Sequence, residues 1–255
     1  MPQVSIARLK EFGITPSRDL GQNFLIDDNV LELAGRLLPP RPGEVVLEVG
    51  PGLGVLTRWL AARVRLVHAI EIDERLRPAL AVSLEGLDNV DLRFADVMRT
   101  DLRALDPPPA ALYANLPYAV ATPVIVTALP VVERFCVMVQ REIADRLFAQ
   151  PGTKAYGAVS VLVQLATERV GWRPVSRRVF APVPNVDSAL VAFQRRPGVV
   201  FGEEWDRLAE RVHGAFAHRR KTVANSLALA GLEPPTADQA SRRAEQLAPP
   251  EFLTL

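Results

Sequence analysis

In the first half of the chain, short apolar runs rich in β-branched residues alternate with stretches of helical periodicity. The apolar runs predict five strands, at residues 45–49, 66–72, 90–95, 110–114 and 134–139. Helices are predicted at residues 29–38, 55–64 and 74–84. Buried strands that alternate with helices of this length are typical of a parallel sheet covered on both faces. We therefore predict a doubly wound α/β fold.

The chain after residue 198 has a different pattern. Residues 188–193 alternate like a last strand, and Arg195-Arg196-Pro197-Gly198 then interrupts the alternation. From Trp205 to Ala217, apolar residues recur at spacings of three and four, which predicts an amphipathic helix. We predict two domains: residues 1–197, which contain the sheet, and residues 198–255, which form a small and mostly α-helical domain.

Composition limits the classes of protein to consider. Of the 255 residues, 49% are hydrophobic and 23% are charged, as in ordinary globular proteins. No apolar run approaches the length of a membrane span, and Lys10 and Glu11 lie where a signal peptide needs apolar residues. A single cysteine, Cys136, excludes an internal disulfide, and the three histidines lack ligand spacing. We expect a cytoplasmic protein without membrane contact or a metal site.

The net charge of +1 conceals an uneven distribution. Residues 134–221 contain 15 Lys and Arg against 8 Asp and Glu, whereas the rest of the chain contains 15 against 21. A basic segment in an otherwise acidic chain indicates a polyanionic partner on one side of the molecule. A solvated basic face is the alternative, and the charge pattern alone leaves both open.

Polar groups follow the predicted strands, where ligands of doubly wound sheets bind. The first strand ends in Gly50-Pro51-Gly52-Leu53-Gly54, a loop that lets the main chain approach a ligand closely. A dinucleotide-binding loop would need glycine at Val55, so the spacing favours S-adenosylmethionine. Glu71 ends the second strand and could accept both ribose hydroxyls. After the third strand, Asp96 could accept from an adenine amino group, with Val97 as apolar packing.

The fourth strand leads into Asn115-Leu116-Pro117-Tyr118. The amino group of an aromatic ring is a poor nucleophile because its lone pair is delocalised. The Asn115 side-chain oxygen and the next carbonyl could accept its N–H bonds, and Tyr118 offers a face on which a base can stack. A strand-ending turn is the alternative for this motif, as a helix cap is for each acid. Suitable groups at successive strand ends favour the functional interpretation.

Five motifs follow one another along the chain. They are Gly21-Gln22-Asn23-Phe24-Leu25, Glu48-Val49-Gly50-Pro51-Gly52-Leu53-Gly54, Glu71-Ile72-Asp73, Asn115-Leu116-Pro117-Tyr118 and Phe180-Ala181-Pro182-Val183-Pro184-Asn185-Val186-Asp187-Ser188. In this order they resemble the motifs of the ribosomal RNA adenine dimethyltransferases. Residues 216–227 resemble the late basic motif of the small-subunit branch of that family. The resemblance implies a Rossmann-like, S-adenosylmethionine-dependent methyltransferase domain and a helical C-terminal domain that binds RNA.

The resemblance also implies a reaction and a set of residues. Methyl groups would pass from S-adenosylmethionine to N6 of two adjacent adenosines in a hairpin near the 3′ end of small-subunit (16S) rRNA, during small-subunit biogenesis. The partner would be that rRNA or the small ribosomal subunit. The implied catalytic residues are Asn115, Leu116 and Tyr118. The implied cofactor-binding residues are Gln22, Asn23, Leu25, Gly50, Gly52, Glu71, Ile72, Asp96, Val97 and Asn115. The implied substrate-binding residues are Pro117, Tyr118 and Phe180, with Tyr118 and Phe180 gripping a flipped base. Arg219, Arg220 and Lys221 directly follow the predicted helix, where cations could satisfy its last carbonyls, but three in a row favour binding of RNA phosphates.

Two other functions remain open from the sequence. The related large-subunit rRNA adenine methyltransferases of the macrolide-resistance type would share the first domain, although residues 216–227 argue against them. A ribosome-assembly factor that acts mainly by binding is the second alternative, and it is compatible with retained chemistry. We expect the chain to be a monomer.

Overall fold

The structure is a computed structural model that describes residues 7, 9–235 and 238–255. Its strands are β1 (Phe24–Leu25), β2 (Val45–Val49), β3 (Leu66–Glu71), β4 (Val90–Phe94), β5 (Ala111–Asn115), β6 (Arg134–Gln140), β7 (Thr167–Val175), β8 (Phe180–Ala181) and β9 (Ser188–Arg195). Its helices are α1 (Asn29–Leu37), α2 (Val55–Ala61), α3 (Arg77–Ser83), α4 (Ala121–Ala128), α5 (Arg141–Leu147), α6 (Ala158–Ala166), α7 (Glu203–Phe216) and α8 (Val223–Leu229).

Seven of these strands form one sheet in the order β4-β3-β2-β5-β6-β9-β7. The strands from β4 to β6 run parallel, and β9 pairs antiparallel with β6. All five residues of β2 are buried, as expected for a central strand of a parallel sheet. A separate antiparallel pair joins β1 to β8, with Leu25 opposite Phe180. The carboxyl ends of β2, β3, β4 and β5 therefore lie along one edge of the sheet.

The predicted doubly wound α/β fold is confirmed, and the first five predicted strands lie within one residue of their expected ends. The helix predicted at residues 74–84 is instead a 3₁₀ turn, Glu74–Leu76, followed by α3. Pro78 explains this break, because proline lacks the N–H that would continue a helix through it and suits a first turn. Strands β1, β7 and β8 have no counterpart in the prediction.

The chain divides into two compact units. The first unit extends to Arg141 and includes Arg169–Gln194, and the second holds Glu142–Glu168 and Arg195–Leu255. A single cut after residue 197 does not reproduce this division, because residues 142–168 belong with the second unit. That the second unit binds RNA stays a prediction.

Each unit has its own apolar core. In the first, Val30 and Leu31 of α1 and Leu60 of α2 pack with Val46 and Val67 of the sheet, all of them buried. Complete burial of such a side chain contributes about 1.5–3 kcal/mol, so this packing holds the strand ends in place. In the second, the Phe216 ring stacks on Phe252 at 5.7 Å and meets Tyr156 edge-on at 5.9 Å.

Within the described part of the chain, every helix is too short or too polar to cross a bilayer.

Candidate functional site

The carboxyl ends of β2, β3, β4 and β5 border a cavity of about 200 Å³ in the first unit. Its walls come from the segment before α1, the glycine loop after β2, and the segments that follow β3, β4 and β5. All ten residues that the sequence assigns to a cofactor line this cavity: Gln22, Asn23, Leu25, Gly50, Gly52, Glu71, Ile72, Asp96, Val97 and Asn115. The structure thus brings together side chains that lie more than ninety residues apart in sequence.

The glycine loop forms one wall of the cavity. Gly50 and Gly52 have φ angles of 73° and 60°, a region that side chains with a Cβ rarely adopt. A Cβ at Gly52 would also lie 3.1 Å from the Phe24 ring. Glycine is therefore required here both by conformation and by space, and the loop presents main chain rather than side chains to a ligand.

Glu71 lies at the end of β3 and is 4% exposed. Its Oε2 accepts the N–H of Gly52 at 3.0 Å, and its Oε1 accepts the N–H of Asp73 at 2.9 Å. These bonds fix the carboxylate, and each oxygen keeps a further lone pair for a hydroxyl. Burial raises the pKa of Glu71, and the nearby Asp73 carboxylate also raises it. The site therefore offers a fixed, partly dehydrated acceptor, as a ribose diol requires.

The segment after β4 supplies a polar edge and an apolar surface. Asp96 Oδ1 accepts the N–H of Met98 at 2.9 Å, so this carboxylate caps a 3₁₀ turn. The cap was the alternative interpretation of Asp96, but one bond leaves its second oxygen for a ligand. Ile72 and Met98, which are 53% and 42% exposed, also line the cavity. A planar heterocycle between them would bury apolar surface that is now exposed.

Two acceptors meet at the end of β5. The Nδ2 of Asn115 donates to the main-chain carbonyl of Asn23 at 3.1 Å, which fixes the side-chain amide and leaves Oδ1 as an acceptor. The N–H of Leu116 donates to the Met138 carbonyl at 3.0 Å. Within the described residues, neither Asn115 Oδ1 nor the Leu116 carbonyl accepts a hydrogen bond. Both oxygens are therefore free to accept a hydrogen bond, and their role towards an aromatic amine stays a prediction.

Tyr118 is half-buried beside this pair, and its hydroxyl lies 3.1 Å from the Ser188 Oγ. Burial raises the pKa of Tyr118, so the phenol stays neutral and its ring is oriented by one hydrogen bond. Pro117 lines the cavity, and its carbonyl accepts from the N–H of Val120 at 3.1 Å. Ser188, which is fully buried, had no assigned role in the sequence-based prediction.

The segment before α1 forms hydrogen bonds within the protein that the sequence did not predict. Gln22 Oε1 accepts the N–H of Ser17 at 2.8 Å, and its Nε2 donates to Asp73 at 2.7 Å. Hydrogen bonds from Arg75 lower the pKa of Asp73 to about 2, which keeps this anchor ionised. Gln22 borders the cavity, and these two bonds fix its side chain while leaving one N–H and one lone pair of the amide; that it binds the cofactor stays a prediction.

Phe180 does not reach the cavity. Its ring is 1% exposed and packs in the core of the first unit, where β8 pairs with β1. The expectation that Phe180 grips a base beside Tyr118 therefore has no support in this arrangement, because no face of the ring is accessible. A sequence shows that an aromatic residue is present but does not show what covers it.

Arg219, Arg220 and Lys221 lie in the second unit, in the exposed turn between α7 and α8. The N–H of Lys221 donates to the His218 carbonyl at 2.9 Å, and Thr222 caps α8 through the N–H of Asn225. No ion pair joins these three cations to an acid within the described residues. Their charges are therefore available to a polyanion.

Glu48 is a cavity residue that the sequence-based interpretation missed. It lies in β2 two residues before Gly50, is 1% exposed, and has an Oε2 without a hydrogen-bond partner in the described structure. Burial raises the pKa of Glu48 to about 8, and the charge of Glu71 also raises it. A buried carboxyl with an unpartnered oxygen at a cavity offers a hydrogen-bonding group to a ligand. An acidic residue within an otherwise apolar strand was the feature of the sequence that could have identified Glu48.

Glu48 makes stability depend on pH. Its pKa is 4.5 in the unfolded chain and about 8 in the folded protein, so between these values only the folded state holds the proton. We therefore expect the free energy of unfolding to fall, on the order of a few kcal/mol, as pH rises through this window. Glu48→Gln should remove most of this slope, while Glu74→Gln, an exposed control, should keep it. Urea unfolding between pH 5 and 8.5 measures the free energy of unfolding of both variants. If Glu48→Gln and the wild type showed the same dependence on pH, the raised pKa of Glu48 would be contradicted.

The chain is similar to proteins of one family over most of its length. Residues 15–246 match the family model described as ribosomal RNA adenine dimethylase. Ribosomal RNA small subunit methyltransferase A of Rubrobacter xylanophilus is 43% identical over 253 residues, which cover 94% of each chain. The protein of the same name from Lactiplantibacillus plantarum is 39% identical and covers 100% of this chain and 93% of its own.

Solved structures show the same similarity. The 23S rRNA methyltransferase ErmE has a TM-score of 0.63 and 30% identity, with 91% of this chain and 98% of that chain covered. A dimethyladenosine transferase from Plasmodium falciparum has a TM-score of 0.72, with 91% and 95% covered. At 24% identity, the second similarity supports the fold.

Proposed function

The chain belongs to the ribosomal RNA adenine dimethylase family, and from this premise we propose how its site works. It methylates N6 of adenosine in small-subunit rRNA, with S-adenosylmethionine as the methyl donor. The proposed targets are two adjacent adenosines in a hairpin near the 3′ end. The observation that carries this proposal is that Asn115 and Leu116 both line the cavity and that Asn115 Oδ1 and the Leu116 carbonyl accept no hydrogen bond within the described residues.

The residues that border the cavity fit S-adenosylmethionine. The proposed contacts are Glu71 with the ribose, Asp96 with the adenine amino group, and Ile72 and Met98 with the ring faces. Gly50 and Gly52 would allow close main-chain approach, and the unpartnered Glu48 oxygen could form a hydrogen bond with the bound molecule. When bound, S-adenosylmethionine supplies a methyl group activated by its sulfonium.

Asn115 and Leu116 act on the target amine. Each acceptor receives a hydrogen bond from one N–H of the amine. The two bonds orient the nitrogen and reduce the delocalisation of its lone pair into the ring, so that the lone pair is available to the methyl group. Alignment of the reacting atoms in this way supplies much of the rate enhancement. After one methyl transfer the amine keeps a single N–H, so the second transfer proceeds with one acceptor fewer. The two steps therefore place different demands on Asn115 and Leu116.

Tyr118 holds the flipped base. An adenine inside a helix cannot reach the site, so it must leave its stack, and an aromatic face compensates for part of the lost stacking. Stacking of this kind contributes about 1–3 kcal/mol per base. The hydrogen bond between the Tyr118 and Ser188 hydroxyls fixes the ring before the base arrives. Pro117, next to it, restricts the turn.

The two alternatives are separable by the same experiment. Relatives at 43% and 39% identity are named for the small subunit, whereas the large-subunit enzyme ErmE is 30% identical. With labelled S-adenosylmethionine, under-methylated small subunits should take up label, and large subunits should not. Label on large subunits would support the macrolide-resistance type. Tight binding without any label would support an assembly factor that acts by binding. We propose that the chain acts in the cytoplasm and as a monomer.

The cations of the second unit should set part of the salt dependence of RNA binding. Each phosphate contact contributes about 0.7 to the slope of log K against log salt for single strands. We expect Arg219→Gln, Arg220→Gln and Lys221→Gln together to lower this slope by about 2. Arg207→Gln, an exposed change on α7, should leave the slope almost unchanged. An unaltered slope in the triple variant would mean that these three residues do not bind RNA and belong to a solvated basic surface.

A further inference from the structure

A second group of cations lies in the first unit, and no role has been given to it. Residues 169–186 contain four arginines and no Asp, Glu or Lys. Arg173, Arg177 and Arg178 of this segment are all exposed, and we call these three the arginine rim. Within the described residues, no carboxylate forms an ion pair with any of the three.

The arginine rim is joined to the loop that carries Ser188. The main-chain N–H of Arg177 donates to Asp187 Oδ1 at 3.2 Å, and its guanidinium donates to the Asn185 carbonyl at 3.0 Å. Ser188, the next residue after Asp187, lies 3.1 Å from the Tyr118 hydroxyl. A short chain of direct contacts therefore connects Arg177 to the residue that is proposed to hold the flipped base.

Neighbouring contacts give the same surface a defined shape. The guanidinium of Arg173 donates to the Trp172 carbonyl at 2.8 Å, and that of Arg141 lies 5.9 Å from the Trp172 ring. The N–H of Arg141 donates to the Asp187 carbonyl at 3.0 Å, which ties this corner to the same loop. On the loop, Val183 is 59% exposed and offers an apolar contact. The guanidinium groups of Arg173 and Arg177 donate to neutral carbonyls, and the Asp187 carboxylate accepts from the main chain of Arg177 rather than from its guanidinium.

A solvated basic face would explain exposed arginines, but it would not explain the two hydrogen bonds that join Arg177 to the loop leading to Ser188. Guanidinium groups bind phosphate through two parallel hydrogen bonds, which suits a nucleic acid backbone. An enzyme that flips a nucleotide must also hold the backbone on either side of it, and phosphate contacts fix that register.

We propose that Arg173, Arg177 and Arg178 bind the phosphates of the RNA strand next to the target adenosine. This inference rests on the proposed function, since it names the surface by which the first unit holds the same substrate. It adds a phosphate-binding site separate from Arg219, Arg220 and Lys221. The rim positions the substrate and takes no part in the methyl transfer itself.

The test compares two triple variants with the same change in charge. One carries Arg173→Gln, Arg177→Gln and Arg178→Gln, and the other carries Arg36→Gln, Arg65→Gln and Arg103→Gln at exposed positions elsewhere on the first unit. The probe is a synthetic hairpin with the 3′-terminal sequence of small-subunit rRNA. For the rim variant we expect the salt slope of hairpin binding to fall by about 2. Its KM for RNA should rise by 10-fold or more with little change in kcat, and the control variant should match the wild type.

Calorimetric affinity for S-adenosylmethionine checks that the rim variant is folded, and Arg178→Gln alone, with an expected slope change of about 0.7, is a second test. If both rim variants match the control in slope and KM, the proposal is overturned. If binding to whole subunits weakens while hairpin binding does not, a ribosomal protein contacts the rim, and the RNA assignment is wrong. Because hairpin binding is measured without methyl transfer, failure of the rim and failure of the proposed reaction remain distinguishable.

Discussion

Asn115→Ala should lower kcat/KM for RNA methylation by about 10²–10³-fold, the range seen when one fixed hydrogen-bonding group is removed from a reaction centre. The wild-type amide is held by the Asn23 carbonyl at 3.1 Å, so Oδ1 is in position before the substrate arrives. Alanine leaves the main chain and the Leu116 carbonyl in place but removes one of the two acceptors. The amine then loses both an anchor and the pull on its lone pair.

Affinity for S-adenosylmethionine separates this loss from a general defect. We expect calorimetry to show nearly unchanged cofactor binding in Asn115→Ala, because Glu71 and the glycine loop are untouched. Asn29→Ala, at the exposed start of α1, is the matched control and should keep full activity. Methylation by Asn115→Ala within threefold of the wild-type rate would refute the role of this residue in the reaction.

Glu71→Gln should weaken S-adenosylmethionine binding by about 10–100-fold, since hydrogen bonds to charged groups contribute about 1.5–3 kcal/mol each. Both carboxylate oxygens accept main-chain N–H groups, at 3.0 Å and 2.9 Å. Glutamine must present its NH₂ to one of these donors, which breaks that bond and turns the side chain away from the ribose. Glu74→Gln, only three residues away and exposed, should bind normally.

The pH dependence of binding gives Glu71 a second signature. Burial raises the pKa of Glu71, and the proposed acceptor of ribose hydroxyls works best when ionised. Affinity of the wild type should therefore fall as pH decreases through this raised pKa, and Glu71→Gln should lack that decrease. Calorimetry at several pH values measures both. Equal affinities of Glu71→Gln and the wild type would exclude the ribose assignment.

The parts of the fold that could be predicted well from the sequence are those with a clear pattern of apolar residues. β2 and β3 are buried apolar runs, and the polar residues at their ends could be placed at one edge of the sheet without coordinates. β7 escaped prediction because it contains Gly171 and Pro174 and is mostly exposed, so it has no clear alternation. β1 and β8 have two residues each and are too short for any period.

The candidate site shows the same limit at the level of side chains. Asn115, Glu71 and Asp96 line the cavity as expected, because their positions follow from strand ends. Gln22 lines it too, but its hydrogen bond to Asp73, which is 51 residues away in sequence, could not be predicted. Phe180 was expected to face a base, yet pairing of β8 with β1 buries it. Such contacts depend on tertiary structure, which local sequence does not encode.

The central claim is that Asn115 and Leu116 direct an adenine amine towards two successive methylations. Its most direct test is mass spectrometry of nucleosides from under-methylated small subunits after incubation with the protein and S-adenosylmethionine. We predict N6,N6-dimethyladenosine at two adjacent positions near the 3′ end of the rRNA, formed at least about 10²-fold more slowly by Asn115→Ala. Methylation at another base or another atom, or dimethyladenosine formed equally by Asn115→Ala, would contradict the account.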